Sequence, residues 1–431
     1  MNSPVIVIGG GLAGCEAAWI LAKKRICVEL FEMRPKKMTP AHSTGMLAEL
    51  VCSNSLKGTD PFTAHGLLKA EMEIMDSLVM KAALSARVPA GKALAVDRES
   101  FAAFITDAIS SNPFITVNRS EIESVPQDTN CIIATGPLTS DALADDISNI
   151  TGSGRMFFHD AIAPIIDADS IDMKKAFFGS RWSDDEGDYI NCPFNEAQYN
   201  LFIDELIKAD RVSLHTFEDT KYFEGCLPVE VIAERGSQSL RFGPMRPVGI
   251  KNPGTGKRPY AVVQLRKETL KGDAFNMVGF QTRLSYPEQD RVFRLIPGLA
   301  DAVFLRYGSI HRNTFIDSPR MLEKDLSLRS HPNIIIAGQL TGVEGYMESA
   351  CSGIIAGMSM AAKISGMEFI PPPPQTATGS LINYITDPAV INFQPMNINY
   401  GIIPSPDVPK KDKKSTIHEI ALNNIFGWVK H

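Results

Sequence analysis

The sequence predicts an α/β protein in which a parallel sheet carries an inserted α+β domain and is followed by a small helical tail. Two observations favour this fold class. A β-branched run at residues 5–8 leads through glycines into a helical pattern and then into a second apolar run. This is the order of a strand, a helix and a second strand. Late in the chain, the apolar run at 333–336 again leads through a glycine-rich turn into a helix.

The first glycine-rich turn has the spacing of a dinucleotide-binding motif. In the stretch VIVIGGGLAGCEAAWILAKKRICVELFE, Gly9, Gly11 and Gly14 fit the pattern G-x-G-x-x-G, and Glu32 ends the second strand. The glycines permit a tight turn and a close approach of the backbone to a pyrophosphate, which the helix N-terminus attracts. The carboxylate accepts a hydrogen bond from a ribose hydroxyl, so FAD or NAD is favoured over NADP.

Two later segments favour FAD over NAD. The buried run NCIIATGP ends in Thr135 and Gly136, a pattern with which FAD-binding folds of the two-dinucleotide type return to their cofactor. The late helix begins near Gly345, and the positive end of such a helix points at the flavin or the pyrophosphate. The predicted core is therefore an FAD-binding, Rossmann-like domain of the two-dinucleotide-binding type.

Changes in composition divide the chain into four segments. Residues 1–150 are predicted to be the first part of the FAD-binding domain, and residues 326–370 its second part. Between them, residues 151–325 are richer in aromatic and charged side chains and are predicted to form the inserted domain. The run PPPPQ opens the last segment, 371–431, which is predicted to be a stiff linker followed by a helical tail.

Composition and charge exclude several classes of protein. The chain has 431 residues, 44% of them hydrophobic, and a formal net charge of −6. Its longest apolar run is interrupted by glycines and by Glu16, so no membrane span is predicted. No export signal is legible, so we expect a cytoplasmic protein. One region is basic, because residues 235–271 contain nine Lys or Arg and one acid, Glu268, a local charge of +8.

The seven cysteines fall into two groups. Their number is odd and no C-x-x-C pair is present, so reduced thiols are expected rather than disulfides or a metal site. Cys52, in ELVCSNSLKG, and Cys226, in FEGCLPVEV, lie in predicted turns, where a thiol can be exposed and reactive. An incidental thiol is the alternative for each. Cys192 stays unassigned, and small residues of the core are predicted at Cys15, Cys27, Cys131 and Cys351.

Seven long words of the sequence resemble one enzyme family. They are GLAGCEAAW, FEMRPKKMTPAH, ELVCSNSL, FEGCLPVEV, RFGPMRPVG, VGFQT and AGQLTGVEGYMES. Together they are similar to the folate- and FAD-dependent tRNA uracil-5-methyltransferases, the TrmFO (Gid) family. The opening block is also similar to the longer flavoprotein MnmG, which modifies a wobble uridine. One departure is visible: where FAD folds often have a glycine after the first helix, this chain has Arg25.

The resemblance implies a reaction. It implies that 5-methyluridine is formed in tRNA, at the T-loop uridine conventionally numbered 54, with 5,10-methylenetetrahydrofolate as the carbon donor. Reduced FAD is then the reductant, and NADPH or NADH reduces it from a transient site. A thiolate that adds to uracil C6 makes C5 nucleophilic, and a thiol in a turn can reach a base extruded from RNA. Cys52 is the predicted nucleophile and Cys226 assists removal of the C5 proton, although the two roles can be exchanged.

The motifs and the resemblance also predict binding residues. FAD contacts are predicted at Gly9, Gly10, Gly11, Leu12, Ala13, Gly14, Glu32, Arg34, Thr135, Gly136, Gly338, Gln339, Gly345 and Tyr346. The ring of Tyr346 is expected to pack on the flavin, with an ordinary aromatic at a helix start as the alternative. In the inserted domain, Arg241, Arg246 and Lys251 are predicted to contact RNA phosphates, with a solvated loop as the alternative. No metal site and no obligate protein partner are predicted.

Other functions stay open at this stage. An MnmG-like enzyme would act on a wobble uridine with a partner GTPase, but the chain length and the paired loop cysteines disfavour it. A generic FAD oxidoreductase acting on a small molecule is disfavoured by the basic region. An RNA-binding module with a vestigial nucleotide fold would be colourless when purified. A ribosomal RNA target in place of tRNA is also open.

Overall fold

The structure is a computed structural model that describes residues 3–152, 156–182, 187–212 and 227–430, with side chains for all of these except 156–160, 311 and 312. The strands are β1 Val5–Ile8, β2 Val28–Phe31, β3 Ser55–Gly58, β4 Arg87–Val88, β5 Ala93–Val96, β6 Ile115–Asn118, β7 Cys131–Ile133, β8 Met156–Ile162, β9 Ile165–Asp167, β10 Phe177–Phe178, β11 Tyr189–Phe194, β12 Ala261–Lys267, β13 Ala274–Met277, β14 Phe304–Arg306, β15 Ser309–Phe315 and β16 Ile334–Ile336. The helices are α1 Leu12–Lys23, α2 Ala64–Ile74, α3 Leu78–Ser85, α4 Arg98–Ser110, α5 Asp141–Thr151, α6 Glu196–Lys208, α7 Val229–Glu234, α8 Ser239–Phe242, α9 Tyr286–Phe293, α10 Ser318–Met321, α11 Tyr346–Ile364, α12 Ala377–Thr386 and α13 Lys413–Val429.

A parallel sheet in the order β16-β7-β1-β2-β6 forms the centre of the molecule. The inner strand β7 and the edge strand β16 are both buried along their whole length, which is typical of a parallel sheet covered on both faces. Because β16 pairs with β7, the chain returns to this sheet after the inserted segment. The predicted fold class is confirmed: a Rossmann-like α/β core, an inserted α+β region and a C-terminal helix.

Glycines let α11 lie directly against α1. A Cβ on Gly353 would lie 2.2 Å from the carbonyl oxygen of Ala13, and one on Gly357 would lie 2.9 Å from that of Ala17. Any larger residue would force the two helices apart. Residue 13 lies against residue 353 and residue 17 lies against residue 357, so the two helices run in the same direction. Both N-termini therefore point towards the same edge of the sheet.

The inserted region forms an antiparallel sheet in the order β10-β11-β12-β13-β9-β14. One face is apolar and packs against α6, α7 and α9. Strand register places polar residues together on the other face, and all of them are buried: Asn191, Gln264, Arg266 and Asn276. Buried polar groups need partners, and some of these partners come from the loop that contains Cys52, as described below.

The C-terminal helices pack on the core around the parallel sheet. Ile417, Ala421 and Ile425 of α13 are buried. The N-terminus of α12 is capped by Glu71 of α2, which accepts hydrogen bonds from the backbone N–H groups of Ala377 and Thr378. Among the described residues, every helix is too short or too polar to cross a bilayer.

The residue after α1 has the backbone conformation that usually selects glycine. Arg25 has φ of +58°, in the left-handed region in which helices commonly end. The departure seen in the sequence therefore leaves the turn geometry unchanged and places a side chain in a strained backbone position.

Candidate active site

The first glycine-rich turn brings backbone against backbone at the end of β1. Gly9 has φ of +105°, and a Cβ there would lie 2.5 Å from the carbonyl oxygen of Ala134. A Cβ on Gly14 would lie 1.9 Å from the carbonyl oxygen of Gly9. Gly11 precedes α1, which has no side-chain cap among the described residues, and a Cβ on Gly11 would meet nothing within 4 Å. The first N–H groups of α1 therefore face open space, an arrangement that suits an anion.

Glu32 lies beside this turn and is held by Arg34. Its Oε2 accepts from the N–H of Gly10 at 2.9 Å, and its Oε1 accepts from Nε of Arg34 at 2.9 Å. Burial by itself would raise the pKa of Glu32, but the hydrogen bonds and the charge of Arg34 outweigh it and lower the pKa. Arg34 also pairs with Glu49 at 3.1 Å. Glu32 is thus an ionised acceptor in a fixed position.

Two further turns meet the first at the same edge of the sheet. Gly136 follows β7 with φ of +69°, and Gly338 follows β16 with φ of +77°. The N–H of Gly338 donates to Ser352 Oγ of α11 at 2.7 Å. Since β1, β7 and β16 are neighbours in the sheet, the three turns lie side by side at the carboxyl ends of the strands, where open α/β sheets bind their ligands.

An open cavity of about 1020 Å³, here called the first cavity, lies at this edge. The three glycine turns, Glu32 and Arg34 all line it. It combines uncapped helical N–H groups for a pyrophosphate, a fixed carboxylate for a ribose and close backbone walls. These features fit a dinucleotide such as FAD.

A second cavity, of about 1200 Å³, adjoins the first. The two share the lining residues Val51, Pro137, Leu138, Gln339 and Tyr346. Cys52 lines the second cavity and is half-buried, with its Sγ 3.9 Å from the carbonyl oxygen of Ala161 at the end of β8. The thiol therefore opens onto a space next to the one that fits a dinucleotide.

Tyr346, at the start of α11, links the two cavities. Its hydroxyl oxygen accepts from the backbone N–H of Cys52 at 2.7 Å and from that of Ser53 at 3.2 Å. Burial, and then the nearby charge of Cys52, raise the pKa of Tyr346 above its ordinary value. The hydroxyl therefore stays protonated and fixes the position of the cysteine backbone relative to α11.

The inserted sheet holds the cysteine loop on the N-terminal side of Cys52. Arg98 donates to the carbonyl oxygen of Leu50 at 2.5 Å and to both oxygens of Glu268, at 2.8 and 3.2 Å. Glu268 directly follows β12 and is buried. A two-pronged contact of this kind fixes orientation as well as distance.

Asn54 holds the loop on the other side of Cys52. Its Oδ1 accepts from Nε of Arg266 at 2.9 Å, and its Nδ2 donates to the carbonyl oxygens of Val96 and Lys267 at 3.0 and 2.8 Å. Arg266 and Lys267 belong to β12, so the loop is fixed against the polar face of the inserted sheet. Asn54 and Arg266 satisfy each other's buried polar groups.

Positive charge surrounds the cysteine. Arg98, Arg266 and Arg306 are each close enough to Cys52 to interact with its charge.

Comparison with known proteins identifies the family. Residues 4–368 match the family model described as Glucose inhibited division protein A. A protein of Syntrophus aciditrophicus named methylenetetrahydrofolate–tRNA-(uracil-5-)-methyltransferase TrmFO is 53% identical over 430 residues, 99% of this chain and 98% of that protein. The protein of that name from Moorella thermoacetica is 54% identical over 428 residues, again 99% and 98%. This chain belongs to the TrmFO family. The resemblance found in its seven sequence words is thereby confirmed.

A solved structure shares the fold. GidA of Aquifex aeolicus aligns with a TM-score of 0.73 at 16% identity, over 99% of this chain and 73% of that one. At this identity the likeness establishes the shared fold of the TrmFO-family chain and GidA.

Most of the FAD contacts predicted for this TrmFO-family chain line the first cavity. They are Gly9, Gly11, Leu12, Ala13, Glu32, Arg34, Thr135, Gly136, Gly338, Gln339 and Tyr346. The other three have different surroundings. Gly14 packs on Gly9, a Cβ on Gly10 would lie 2.5 Å from the side chain of Leu47, and Gly345 lines the second cavity. Direct contact with FAD stays a prediction for all fourteen positions.

Several polar residues line the first cavity without having been predicted. They include Thr39, His42, Glu49, Glu121 and Thr139. His42 is uncharged at neutral pH, because burial and then the charge of Arg34 lower its pKa to about 4. His42 and Glu49 both fall inside words that carried the family resemblance, and this was the available signal in the sequence.

The predicted partner thiol, Cys226, lies outside the described residues. The chain is described again from Leu227, and the N–H of Val229 donates to the carbonyl oxygen of Gln281 at 2.7 Å. Gln281 lines the second cavity together with Cys52.

The remaining cysteines follow the sequence analysis with one exception. Cys15, Cys131 and Cys351 are buried as predicted, and Cys192 is buried in β11. Burial raises the pKa of Cys131 and of Cys192 to about 12. The prediction for Cys27 was wrong: it is exposed, because β2 begins one residue later, at Val28.

The basic region is divided between exposed and paired residues. Arg246 and Lys251, two of the three predicted RNA contacts, are exposed. The third, Arg241, is half-buried, donates to the carbonyl oxygen of Tyr260 at 2.9 Å and lies 4.1 Å from the centre of the tyrosine ring. Arg266 is buried against Asn54. Part of the positive charge of residues 235–271 therefore takes part in packing within the chain.

Proposed function

We propose that this chain is a folate- and FAD-dependent tRNA (uracil-5-)-methyltransferase. Its relatives with this activity in their names match it end to end at 53 and 54% identity. One structural observation carries the proposal: the cavity that the loop thiol Cys52 lines adjoins the cavity that fits a dinucleotide, and Tyr346 lines both and is hydrogen-bonded to the backbone of Cys52. A methyl transfer that needs a thiolate and a flavin requires this juxtaposition.

The conversion of the folate methylene group to the methyl group of 5-methyluridine requires two electrons. Methylenetetrahydrofolate donates a carbon at the methylene level, and uracil C5 loses its hydrogen as a proton. A hydride from NADPH or NADH converts the methylene carbon to the methyl group, and the released C5 proton together with one further proton balances the two folate nitrogens that lose their bonds to that carbon. The products are 5-methyluridine, tetrahydrofolate and the oxidised nicotinamide. Bound FAD supplies the two-electron chemistry between the nicotinamide and the methylene group.

Cys52 is assigned the addition to uracil C6. Addition of a thiolate there raises the electron density at C5, which is otherwise a poor nucleophile. The hydrogen bonds from Cys52 and Ser53 to Tyr346 hold the loop backbone, and Arg98, Arg266 and Arg306 lie near the thiol. Cys226 is assigned the removal of the C5 proton, with the reverse assignment as the alternative.

The residues around the first cavity are assigned to FAD. The uncapped N-terminus of α1 at Gly11 would hold the pyrophosphate, and Glu32, fixed by Arg34, would accept from the ribose. Tyr346 lines both cavities, which places a phenol between the dinucleotide and the thiol. NADPH or NADH would then bind at the same site only while it reduces FAD.

We assign tRNA binding to the exposed cations of the inserted region. Arg246 and Lys251 can contact phosphates directly, while the guanidinium of Arg241 is held against Tyr260. The target would be the T-loop uridine numbered 54, extruded so that its ring enters the second cavity. A tRNA substrate also implies work in the cytoplasm.

The direct test is an assay of the product. The purified protein is incubated with unmodified tRNA, methylenetetrahydrofolate and NADPH, and the nucleosides are analysed by mass. We expect 5-methyluridine at position 54, dependent on both the folate and the nicotinamide. Methylation that occurs without folate, or a product at a wobble position, would overturn the proposal.

A further inference from the structure

Asn313 is a buried residue whose carboxamide has no hydrogen-bond partner among the described residues. It lies in β15, its exposed fraction is 3%, and it lines the second cavity. Within the described ranges its carboxamide makes no hydrogen bond, although buried side-chain amides are normally paired. An unpaired amide at a cavity wall indicates a ligand that supplies the missing partners.

Two other amides line the same cavity. Gln281, in the turn after β13, and Asn397, in the segment after α12, are both half-buried. Their side chains likewise make no hydrogen bond to any part of the chain that the structure describes. Carboxamides on three separate elements therefore face one space, which suits a planar ligand with several donors and acceptors on its rim.

A carboxamide presents one donor next to one acceptor. Its complement is a ring with a carbonyl beside an N–H, so that two hydrogen bonds form side by side. Uracil has this pattern at O4 and N3, and so does the pterin ring of a folate. The two ligands must be told apart by position and by experiment.

The positions of Cys52 and Asn313 along β8 are compatible with uracil. Atoms C6 and N3 lie on opposite sides of the uracil ring, so a base whose C6 faces the thiol turns its N3–H edge to the far wall. A contact of sulphur with C6, the ring and a hydrogen bond to N3 together span about 9 Å. In the structure, Cys52 Sγ is next to Ala161, while Asn313 pairs with residue 158, three positions along β8. Three residues of strand measure about 10 Å.

We propose that the carboxamide of Asn313 recognises the O4 and N3–H edge of the target uracil while Cys52 faces C6 of the same ring. This inference rests on the proposed function and assigns a base-reading residue to it. Asn313 Nδ2 donates to O4 and Oδ1 accepts from N3–H, so a base without the N3 hydrogen loses one bond and leaves a buried oxygen unpaired.

The test combines one change in the protein with one change in the RNA. Full-length tRNA is prepared with uridine or 3-methyluridine at the target position, and rates are compared for wild type, Asn313→Ala and Asn313→Asp. For wild type we expect 3-methyluridine to lower kcat/KM about 10- to 100-fold. In both variants the rate on uridine should fall. In Asn313→Ala the two substrates should differ by less than about threefold, whereas Asn313→Asp loses the donor to O4 but keeps an acceptor for N3–H and should still discriminate. FAD content, read from flavin absorbance, establishes that each variant is folded.

The chain offers a matched control. Asn276 is also buried, and its Nδ2 also lacks a partner among the described residues, but it lies in β13 and does not line either cavity. Asn276→Ala should keep the full discrimination of wild type. An equal loss of discrimination in Asn276→Ala would show a general effect of deleting a buried amide and overturn the inference.

Further results distinguish a wrong role for Asn313 from a wrong proposed function. If Asn313→Ala weakens binding of tetrahydrofolate, measured through the flavin spectrum, while discrimination against 3-methyluridine stays intact, then the amide reads the pterin and the inference is overturned. If wild type forms no 5-methyluridine from the uridine substrate, the proposed function falls and the inference with it. If wild type is active and Asn313→Ala discriminates against 3-methyluridine as strongly as wild type does, the inference alone is overturned.

Discussion

The backbone N–H of Cys52 donates a hydrogen bond of 2.7 Å to the hydroxyl oxygen of Tyr346, 294 positions later in the chain. Tyr346 begins α11, which packs directly against α1 through Gly353 and Gly357. The reactive loop is thereby tied to the helix pair whose N-termini define the first cavity. Together with the contacts of Arg98 and Asn54 on either side of Cys52, this hydrogen bond fixes the position of the loop relative to the first cavity.

Replacing Tyr346 by Phe tests this contact. The variant keeps the ring but leaves the N–H groups of Cys52 and Ser53 without their acceptor, a loss of about 1 to 3 kcal/mol for a buried donor. We expect methylation to fall about tenfold or more, with FAD content unchanged. Tyr384→Phe is a matched control, because that hydroxyl donates only to the carbonyl oxygen of Gln394. Equal activity of Tyr346→Phe and wild type would mean that the tether has no role in positioning the thiol.

Asn54 should be required for stability as well as for activity. Asn54→Ala leaves the buried guanidinium of Arg266 without its acceptor, and we expect the free energy of unfolding to fall by about 2 to 4 kcal/mol. Urea unfolding followed by fluorescence measures the change. The control is Asn112→Ala, which removes only a local bond to the N–H of Phe114. A loss below about 1 kcal/mol for Asn54→Ala would contradict the role given to this pair.

The raised pKa of Glu71 predicts that the stability of the protein depends on pH. It caps α12 through Ala377 and Thr378, and burial raises its pKa to about 7. Because the folded state holds this proton more tightly than the unfolded state, stability contributed by Glu71 is present below pH 4.5 and is lost as the pH rises to 7.

The measurement is denaturant unfolding between pH 5 and pH 8. Relative to Glu71→Gln, wild type should lose about 2 to 3 kcal/mol over this range. Glu73→Gln, an exposed change on the same helix, should show the pH profile of wild type. A constant difference between wild type and Glu71→Gln at all pH values would refute the assignment.

Arg246 and Lys251 should govern how tRNA binding responds to salt. If both contact phosphates, Arg246→Ala with Lys251→Ala should weaken binding and reduce the slope of log K against log salt by about 2. The comparison is Lys324→Ala with Lys363→Ala, which removes the same charge from exposed positions outside the basic region. Identical slopes for the two double variants would show that Arg246 and Lys251 do not contact the phosphates of the RNA.

Local patterns in the sequence predicted the dinucleotide side of the site. Gly9 and Gly14 are needed because a Cβ would collide with backbone atoms a few residues away or on the neighbouring strand. Glu32 was predicted because the motif places an acid at the end of β2. Such constraints act within one strand–helix–strand unit, so spacing alone reveals them.

The position of the loop that contains Cys52 depends on contacts between residues far apart in the sequence, and the spacing of sequence motifs does not encode such contacts. The sequence placed Arg266 in a basic region, yet the structure buries it against Asn54, 212 positions earlier. It also treated Tyr346 as a flavin contact or a capping aromatic, whereas its hydroxyl binds the cysteine loop. The first contact arises because the inserted sheet packs on the cysteine loop, and the second because α11 packs on the same loop. Each joins residues that are more than 200 positions apart, so local periodicity cannot predict it. The exposure of Cys27 was missed for a smaller reason, a strand that starts one residue later than predicted.

The most direct test of the central claim traps the covalent intermediate. tRNA with 5-fluorouridine at position 54 blocks loss of the C5 substituent, so a thiolate that has added to C6 stays bound to the RNA and is seen by denaturing electrophoresis and by mass analysis of the cross-linked peptide. We expect wild type to form the adduct at Cys52, and Cys52→Ala, with FAD still bound, to form none. An adduct that forms at the full rate in Cys52→Ala would contradict the account.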